Sequence, residues 1–439
     1  MESYINRFID KELMMWKEDL YHKVLLVRGA RQVGKSSSVR HFGKNFKYYI
    51  EINIQNEPVY QELFKKEKDV KQIINNISVI SKTEIIPGET LLFIDEIQAC
   101  PEAITSLRYF YEKCQELHVI AAGSLLEFGL KKISSFGVGR ITSLYMYPLS
   151  FSEFLEATNS KIIPLIKDAG PEKPLNSAIH TLLIKYVRDF LYVGGMPEAV
   201  STWIRTSDYL ACQRIHMDIL NSYIDDFTKY DTKIDSVLLR QTFLSIAQQQ
   251  GSKFVFSKVT TDIRLSKIKE ALDTLVLAGI TIPVVHTAAQ GIPLGAQINP
   301  KFTKYLFFDS GLLLVQLGLS GSHILLDDAV DLVNKGSMAE LFTGLEILKY
   351  SEPHMRQSLF YWQRLKKGSE AEVDYIISRN TSIIPIEVKA GTRGSMKSLY
   401  VFLSEHPSLR GIRCSLEPFA TLEKVDVYPL YAIKNIVEG

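Results

Sequence analysis

The sequence predicts an α/β protein, with α/β domains at both ends and a helical middle. Near the N-terminus, the apolar run 24–27 leads directly into a glycine-containing loop pattern and a helix-compatible segment. Two further apolar runs, 91–94 and 118–122, end in polar residues, as strands of a parallel sheet covered on both faces do. Strand-like segments return between residues 359 and 389. These observations predict a parallel sheet in the first part of the chain and a second α/β domain in the last.

The chain has 439 residues, too many for one ordinary core, so we expect several domains. Changes of pattern place the boundaries near residues 205 and 300, which gives the segments 1–205, 206–300 and 301–439. Hydrophobic residues make up 46% and charged residues 23%, as in ordinary globular proteins. The net charge of +2 neither requires nor excludes nucleic acid, because a local basic face can hide in a neutral average.

Neither membrane insertion nor secretion is expected. The apolar runs are far shorter than the ~20 residues that a spanning helix needs, and the first residues lack the apolar core of a signal peptide. The four cysteines are scattered without a CxxC pair, which argues against a disulfide framework or a structural zinc site. A cytoplasmic location therefore fits the sequence.

The loop after the first strand fills the phosphate-binding pattern GxxxxGK[ST] with residues 29–36. Its glycines let backbone N–H groups curl around phosphates, and the following helix adds the positive end of its dipole. Lys35 is predicted to reach the β- and γ-phosphates, and the Ser36 hydroxyl is predicted to ligate Mg²⁺. The predicted nucleotide-binding residues are Gly29, Ala30, Arg31, Gln32, Val33, Gly34, Lys35, Ser36 and Ser37, together with Asp95.

A phosphate-binding loop needs a second strand that ends in a carboxylate, and the run 91–96 supplies one. Asp95 follows the apolar residues and is predicted to hold the magnesium shell. Glu96 comes next and is predicted to polarise the attacking water. Together with the loop, these two acids predict that the chain binds ATP with Mg²⁺ and hydrolyses it.

Five motifs, in this order, resemble a group of bacterial and archaeal AAA+ ATPases that carry an uncharacterised C-terminal domain of nuclease-like fold. They are GARQVGKS, LLFIDEIQ, AAGSLLEF, GR followed by YPLSFSEF, and GGMPEAV. The likeness runs from the first predicted helix nearly to the C-terminus. It implies a P-loop AAA+ domain with a parallel sheet, a helical and winged-helix middle, and a C-terminal α/β domain of the restriction-endonuclease-like, PD-(D/E)xK type.

Two further residues are candidates for a catalytic role. Ser124 lies where AAA+ ATPases have a small polar residue that senses the γ-phosphate or aligns the water. It could equally cap the next helix, and both roles can hold. Arg140, within Gly139-Arg140-Ile141, is a candidate arginine finger that acts in its own chain or in a neighbouring one. The alternative is a solvated or structurally paired arginine.

The middle segment has the outline of a winged helix-turn-helix. A helix over residues 265–275 keeps Ile268, Leu272 and Leu275 on one apolar face. The strand-like run 280–286 and the loop 290–295 that follow it resemble a wing. The outer face of the helix mixes basic and acidic residues, which is a poor electrostatic footprint for phosphate binding. The segment can therefore be a DNA reader, a lid or a docking surface.

Four residues in the last segment match the PD-(D/E)xK pattern, in which one helix acid and two strand acids ligate a divalent metal and a lysine positions water. They are Glu340 on a predicted helix, Asp374 on a predicted strand, and Glu387 with Lys389 in a Glu-x-Lys motif. Clustered carboxylates repel one another unless a cation lies between them, so the cluster favours Mg²⁺ or Mn²⁺. Glu346 could replace Glu340 as the helix acid. Intact acids do not prove cleavage, because this fold also serves for binding alone.

Two hypotheses of function follow. The main one is an ATPase whose turnover is coupled to a nuclease-like module that engages DNA or another nucleic acid, with nuclease activity left open. The alternative is an ATP-dependent regulatory switch that binds a protein partner without nuclease activity. AAA+ enzymes often work as rings, but nothing in the sequence identifies an oligomer surface, so a monomer and an oligomer both stay open.

Overall fold

The computed structural model describes residues 4–131, 137, 139–230, 234–319, 336–365, 371–391, 395–407 and 409–439. The chain divides into two compact units. The first unit comprises Met1–Tyr147 with the short segments Lys229–Thr232 and Glu352–Arg356. The second unit comprises Pro148–Thr228, Lys233–Ser351 and Gln357–Gly439.

The first unit is built on a five-stranded parallel sheet with the strand order β2-β3-β4-β1-β5. Its strands are β1 Val24–Arg28, β2 Tyr48–Asn53, β3 Thr90–Asp95, β4 His118–Ala122 and β5 Ile141–Tyr145. Its helices are α1 Phe8–Glu18, α2 Lys35–Gly43, α3 Pro58–Lys66, α4 Val70–Ser81, α5 Pro101–Lys113 and α6 Leu126–Lys131. The parallel sheet predicted for the start of the chain is confirmed.

The ends of three strands position the predicted nucleotide site. Every residue of β3 and β4 is buried, which explains their uninterrupted apolar sequences. β4 lies between β1 and β3, and all three run in the same direction. Their carboxyl ends therefore meet at one edge of the sheet, where residues 29–34, Asp95 and Ser124 lie. This edge is where α/β sheets usually bind ligands.

The second unit contains an eight-stranded mixed sheet with the order β12-β13-β11-β10-β9-β8-β6-β7. Its strands are β6 Thr281–Thr287, β7 Ile298–Phe307, β8 Leu359–Gln363, β9 Glu372–Arg379, β10 Ser382–Val388, β11 Gly411–Ser415, β12 Ala420–Leu422 and β13 Val425–Pro429. Its helices are α7 Phe151–Asn159, α8 Ile163–Lys167, α9 Ser177–Val193, α10 Pro197–Thr206, α11 Tyr209–Asp226, α12 Ser236–Gln248, α13 Leu265–Leu277, α14 Ser310–Gln316, α15 Gly336–Lys349, α16 Lys397–Glu405 and α17 Ile433–Glu438. Within the described ranges, no helix is both long enough and apolar enough to cross a membrane.

The predicted wing is part of this large sheet. β6 pairs antiparallel with β7 and parallel with β8, and β8 pairs antiparallel with β9. The strands around the predicted boundary at residue 300 are therefore joined by ladder hydrogen bonds, and the boundary itself falls within β7. The boundary at residue 205 falls within α10. The compact units instead separate after Tyr147, and the three-segment division stays a prediction.

Candidate functional site

The phosphate-binding loop takes its shape from residues with positive φ angles. Gly29 has a φ of 142°, Gln32 of 62° and Gly34 of 100°. No side chain fits at Gly29, because a Cβ atom there would lie 2.1 Å from the carbonyl oxygen of Met146. Gly34 immediately precedes α2, so the loop ends at a helix N-terminus. Unpaired N–H groups and the helix dipole favour an anion at such a position.

Lys35 lies in the first turn of α2 and its ammonium is directed back to the loop. Its Nζ donates to the carbonyl oxygens of Gly29 (3.0 Å) and Ala30 (2.7 Å). Burial lowers the pKa of Lys35 to about 8, against the opposing effect of the Glu96 and Asp95 carboxylates. A bound phosphate would add negative charge beside the ammonium and so favour its charged form.

Arg7 supports the same loop through two side-chain hydrogen bonds. Its Nη1 donates to the carbonyl oxygen of Val33 (2.9 Å), and its Nη2 donates to that of Tyr147 (2.7 Å). The side chain is buried. No motif identifies this residue, because both acceptors are backbone atoms far away in the sequence.

Ser36 and Asp95 are brought together as predicted for a magnesium site. The Ser36 hydroxyl donates to Asp95 Oδ2 over 2.8 Å. Burial raises the pKa of Asp95, while the hydrogen bond from Ser36 lowers it. Mg²⁺ prefers oxygen ligands in octahedral geometry, and two neighbouring oxygen donors of this kind fit it. Ser36 and Asp95 would hold the ion, which would offset the charge of the phosphates when bound.

Glu96 is held by neutral donors. Its Oε2 accepts hydrogen bonds from the Ser124 hydroxyl (2.9 Å), the Ser124 backbone N–H (3.1 Å) and the Gln98 side-chain amide. The residue itself has a left-handed φ of 50°, which ends β3 at Asp95. Ser124 thus orients the predicted water-polarising acid. Gln98 was not predicted as a site residue, although it lies only two residues after Glu96 in the sequence.

Arg140 lies in a chain of exposed ion pairs. Its Nε donates to Glu112 Oε1 (2.9 Å), and the same oxygen accepts from Arg108 Nε (2.8 Å). This geometry agrees with the structurally paired alternative. A role as an arginine finger stays a prediction. Of the other predicted loop residues, Arg31 is half-buried, whereas Gln32 and Ser37 are exposed.

In the second unit, the three predicted acids of the carboxylate cluster lie near one another. Glu340 lies on α15, Asp374 on β9 and Glu387 on β10. The charge of Asp374 acts on both of the other two acids, raising the pKa of each. Lys389 donates from its Nζ to Glu387 Oε1. The predicted four residues therefore come together at one part of the mixed sheet.

The cluster contains two further residues that the sequence pattern did not predict. They are Lys304 on β7 and Glu372 on β9. Lys304 Nζ lies 2.8 Å from Glu340 Oε1 and 2.6 Å from Glu372 Oε1. Glu372 stands two residues before Asp374, so strand alternation puts both on one face of the sheet, and this signal was available. Lys304 carried no such signal, because long-range strand pairing sets its neighbours.

Burial dominates the acid–base behaviour of the cluster. It raises the pKa of Glu340 to about 8 and that of Glu387 to about 7, and it also raises the pKa of Asp374. Burial alone would lower the pKa of Lys304, but Glu340, Asp374 and Glu372 raise it above its ordinary range. Lys304 therefore stays charged, and burial favours the protonated forms of the neighbouring acids.

The cluster does not fit a preformed metal site. One feature favours a metal: Glu387 Oε2 is buried and has no hydrogen-bond partner among the described residues. Against it, Glu340 is engaged by Lys304, and Asp374 Oδ2 accepts from the Val388 backbone N–H (2.8 Å). Across the part of the chain that the structure describes, no group of three or more His, Cys, Asp or Glu residues is arranged to hold a metal ion.

Glu346, the alternative helix acid, has a structural role. It is fully buried, and its Oε2 accepts from the backbone N–H of Phe151 (2.9 Å) at the start of α7. Its Oε1 pairs with Lys349 Nζ (3.1 Å). These contacts stabilise the packing of α15 on α7, and Glu340 is the helix acid that belongs to the carboxylate cluster.

The chain matches three families over separate segments. Residues 21–155 match an AAA domain, AAA_14. Residues 184–323 and 335–433 match two domains of unknown function, DUF8612 and DUF4143. Neither description names a nuclease, so the predicted PD-(D/E)xK identity stays a prediction. A search of curated proteins finds no match.

Solved structures show distant likeness. The Walker-type ATPase PABY2304 of Pyrococcus abyssi is 15% identical with a TM-score of 0.46, over 72% of this chain and 96% of its own. The ORC1 protein of Aeropyrum pernix, solved in complex with DNA, is 12% identical with a TM-score of 0.31, over 74% and 96%. C. elegans PCH-2 is 13% identical with a TM-score of 0.22, over 42% and 56%. The matched AAA domain, together with the P-loop and its parallel sheet, supports an AAA+ ATPase family for residues 21–155.

Proposed function

We propose that the first unit hydrolyses ATP with Mg²⁺ and that Glu96 polarises the attacking water. One observation carries the proposal: Glu96 is oriented by Ser124 and Gln98 directly beside the Ser36–Asp95 pair. The hydrogen bonds from Ser124 and Gln98 fix the direction of the Glu96 carboxylate, as a residue that positions a water molecule requires. Binding of nucleotide alone would need no acid at this position.

Each loop residue has a distinct task in this proposal. The backbone of residues 29–34 binds the phosphates, and Lys35 moves its ammonium from the loop carbonyls to the β- and γ-phosphate oxygens. Ser36 and Asp95 hold the ion. Ser124 is a positioning residue, since it acts through Glu96 and fixes the direction of its carboxylate.

The first test is ATP hydrolysis by the whole chain with Mg²⁺, compared with Glu96→Gln. General-base removal of this kind lowers kcat by on the order of 10² to 10⁴-fold, while nucleotide affinity stays unchanged. Glu89→Gln is the matched control, because Glu89 forms an exposed ion pair with Lys47 in the same unit. If Glu96→Gln turns over at the wild-type rate, the assignment of Glu96 is wrong.

For the second unit, we propose that a nuclease-like module engages nucleic acid under the control of ATP turnover. The clustering of Glu340 on α15 with Asp374, Glu387 and Lys389 of two neighbouring strands and their ends supports a module of this kind. The outer face of α13 contributes little, because Lys267 is paired there with Glu270 at 2.7 Å.

The same assay tests the coupling. Single- or double-stranded DNA is expected to raise the Glu96-dependent rate of hydrolysis. A rate that is indifferent to both would favour the alternative, a regulatory switch that binds a protein partner without nuclease activity. The Glu96→Gln variant separates the two questions, since it reports on the first unit whether or not DNA has an effect.

A further inference from the structure

Lys304 is a buried lysine that the proposed ATPase does not use. Its side chain is 2% exposed, and it lies on β7 within the second unit. An ammonium group removed from water is strongly destabilising unless it is paired and hydrogen-bonded. The environment of Lys304 therefore has to supply compensating negative charge.

That charge comes from two elements at once. Lys304 Nζ contacts Glu340 of α15 at 2.8 Å and Glu372 of β9 at 2.6 Å, and it lies 5.1 Å from the centre of the Tyr361 ring. The ring face adds a favourable interaction with the cation. Lys304 thus connects the predicted helix acid to the strand that carries Asp374.

The remaining acids of the cluster are engaged by other donors. Val388 donates its backbone N–H to Asp374, and Lys389 donates to Glu387. Each of the three predicted metal ligands therefore has at least one carboxylate oxygen occupied by an N–H or ammonium group. A divalent ion needs several oxygen ligands pointing at one centre, and the Lys304 ammonium, which is additional to the lysine of the pattern, would repel it.

We propose that Lys304 is the resident cation of the carboxylate cluster, so that the second unit holds its acids together without a divalent metal. The ammonium supplies the positive charge that a metal supplies in a PD-(D/E)xK nuclease. It cannot activate water as a metal does, because it has no site for a water ligand. In this arrangement, the module is suited to binding and not to metal-dependent cleavage. The proposal is independent of the ATPase activity of the first unit.

Manganese binding tests the proposal on the nucleotide-free full chain after removal of metals with a chelator. Free Mn²⁺ is followed by its paramagnetic resonance signal, for the wild type and for Glu387→Gln. Any Mn²⁺ held by the first unit is common to both proteins. We expect the same number of bound ions in the two. One bound ion in the wild type that is lost in Glu387→Gln would overturn the proposal.

Thermal unfolding tests the role of the ammonium itself. Lys304→Met should lower the unfolding temperature by about 10 °C, because the buried acids lose their counter-charge. Adding Glu340→Gln to that variant should restore part of the loss. The matched control is Lys253→Met: Lys253 also pairs with Glu372, at 3.7 Å, but it is 44% exposed, so little change is expected.

An unchanged unfolding temperature in Lys304→Met would also overturn the proposal. If Lys304→Met does not fold, the manganese comparison between the wild type and Glu387→Gln still decides the question, because neither protein alters Lys304.

Discussion

The acids at the end of β3 accept hydrogen bonds from neutral groups, whereas two acids of the carboxylate cluster, Glu340 and Glu387, are paired with lysines. In the first unit, Ser36 donates to Asp95, and Ser124 donates to Glu96. In the second, Lys304 pairs with Glu340, and Lys389 pairs with Glu387. Both regions contain acids and lysine in motifs that predict a metal, but they differ in where the lysine side chain lies.

Lys35 shows why this difference matters. It is attracted by Asp95 and Glu96, yet its Nζ donates to the carbonyl oxygens of the loop and leaves the carboxylates to neutral donors. The Lys35 ammonium therefore does not occupy the Ser36–Asp95 oxygens that would hold an ion. Lys304 instead forms ion pairs directly with the Glu340 and Glu372 carboxylates. A metal motif therefore predicts a metal only if the nearby ammonium groups are held elsewhere.

The largest effect is expected from Lys35→Ala. Loss of the ammonium removes charge-assisted hydrogen bonds to two phosphates, so ATP affinity should fall by on the order of 10²-fold or more. Isothermal titration with ATP and Mg²⁺ measures this. Lys389→Ala is the matched change in the other region and should leave ATP affinity unchanged. If Lys35→Ala binds ATP as tightly as the wild type, Lys35 does not contribute to phosphate binding and the contrast with Lys304 fails.

A smaller effect is expected from Ser124→Ala. The Glu96 carboxylate keeps its contacts with the Ser124 backbone N–H and with Gln98. We therefore expect kcat to fall by roughly tenfold, as for the loss of one hydrogen bond of about 1.4 kcal/mol, with little change in KM. Ser124→Thr keeps the hydroxyl and should recover most of the rate. Equal losses in both variants would show that Ser124 acts through packing and not through its hydrogen bond.

The smallest effect is expected from Glu387→Gln, and it depends on pH. Burial, reinforced by Asp374, raises the pKa of Glu387 to about 7. Below about pH 4.5, the acid is protonated in both the folded and unfolded states and contributes no difference. As the pH rises toward 7, the unfolded chain releases its proton first, so the folded state becomes less stable relative to the unfolded state.

The glutamine variant avoids this loss. Its unfolding temperature relative to the wild type should therefore be higher at pH 8 than at pH 5. Glu270→Gln, at an exposed ion pair of the same unit, serves as the control and should show little dependence of this kind. If the unfolding temperature rises by the same amount at pH 5 and at pH 8, the pKa of Glu387 is not raised in the folded state.

Most of the fold near the first site was predictable because its signals are local. β1, β3 and β4 contain the apolar runs 24–27, 91–94 and 118–122 that predicted them. β2 and β5 were not predicted. β2 alternates buried and half-buried residues, and only one residue of β5 is buried, so neither shows the continuous apolar run that identified β1, β3 and β4.

The candidate sites show the same contrast between local sequence signals and long-range pairing. Ser36, Asp95 and Glu96 belong to motifs whose members are close in sequence or fixed by adjacent parallel strands. Their contacts therefore follow from the strand order. Lys304 meets Glu340 only because β7 joins the sheet beside β6, a long-range pairing that no nearby residue encodes. A sequence pattern identifies acids that can gather, but it does not show which cation meets them.

The pairing of β6 with β8 has a consequence for how this chain can be divided or exchanged. A gene fragment beginning after residue 300 would start inside β7 and would lack β6, the neighbour of β8. β8 would then present an unpaired row of N–H and C=O groups, which is a template for aggregation. Recombination between relatives is therefore expected to move the β6–β7 hairpin together with the strands that bear the acids, and a soluble fragment would have to include both.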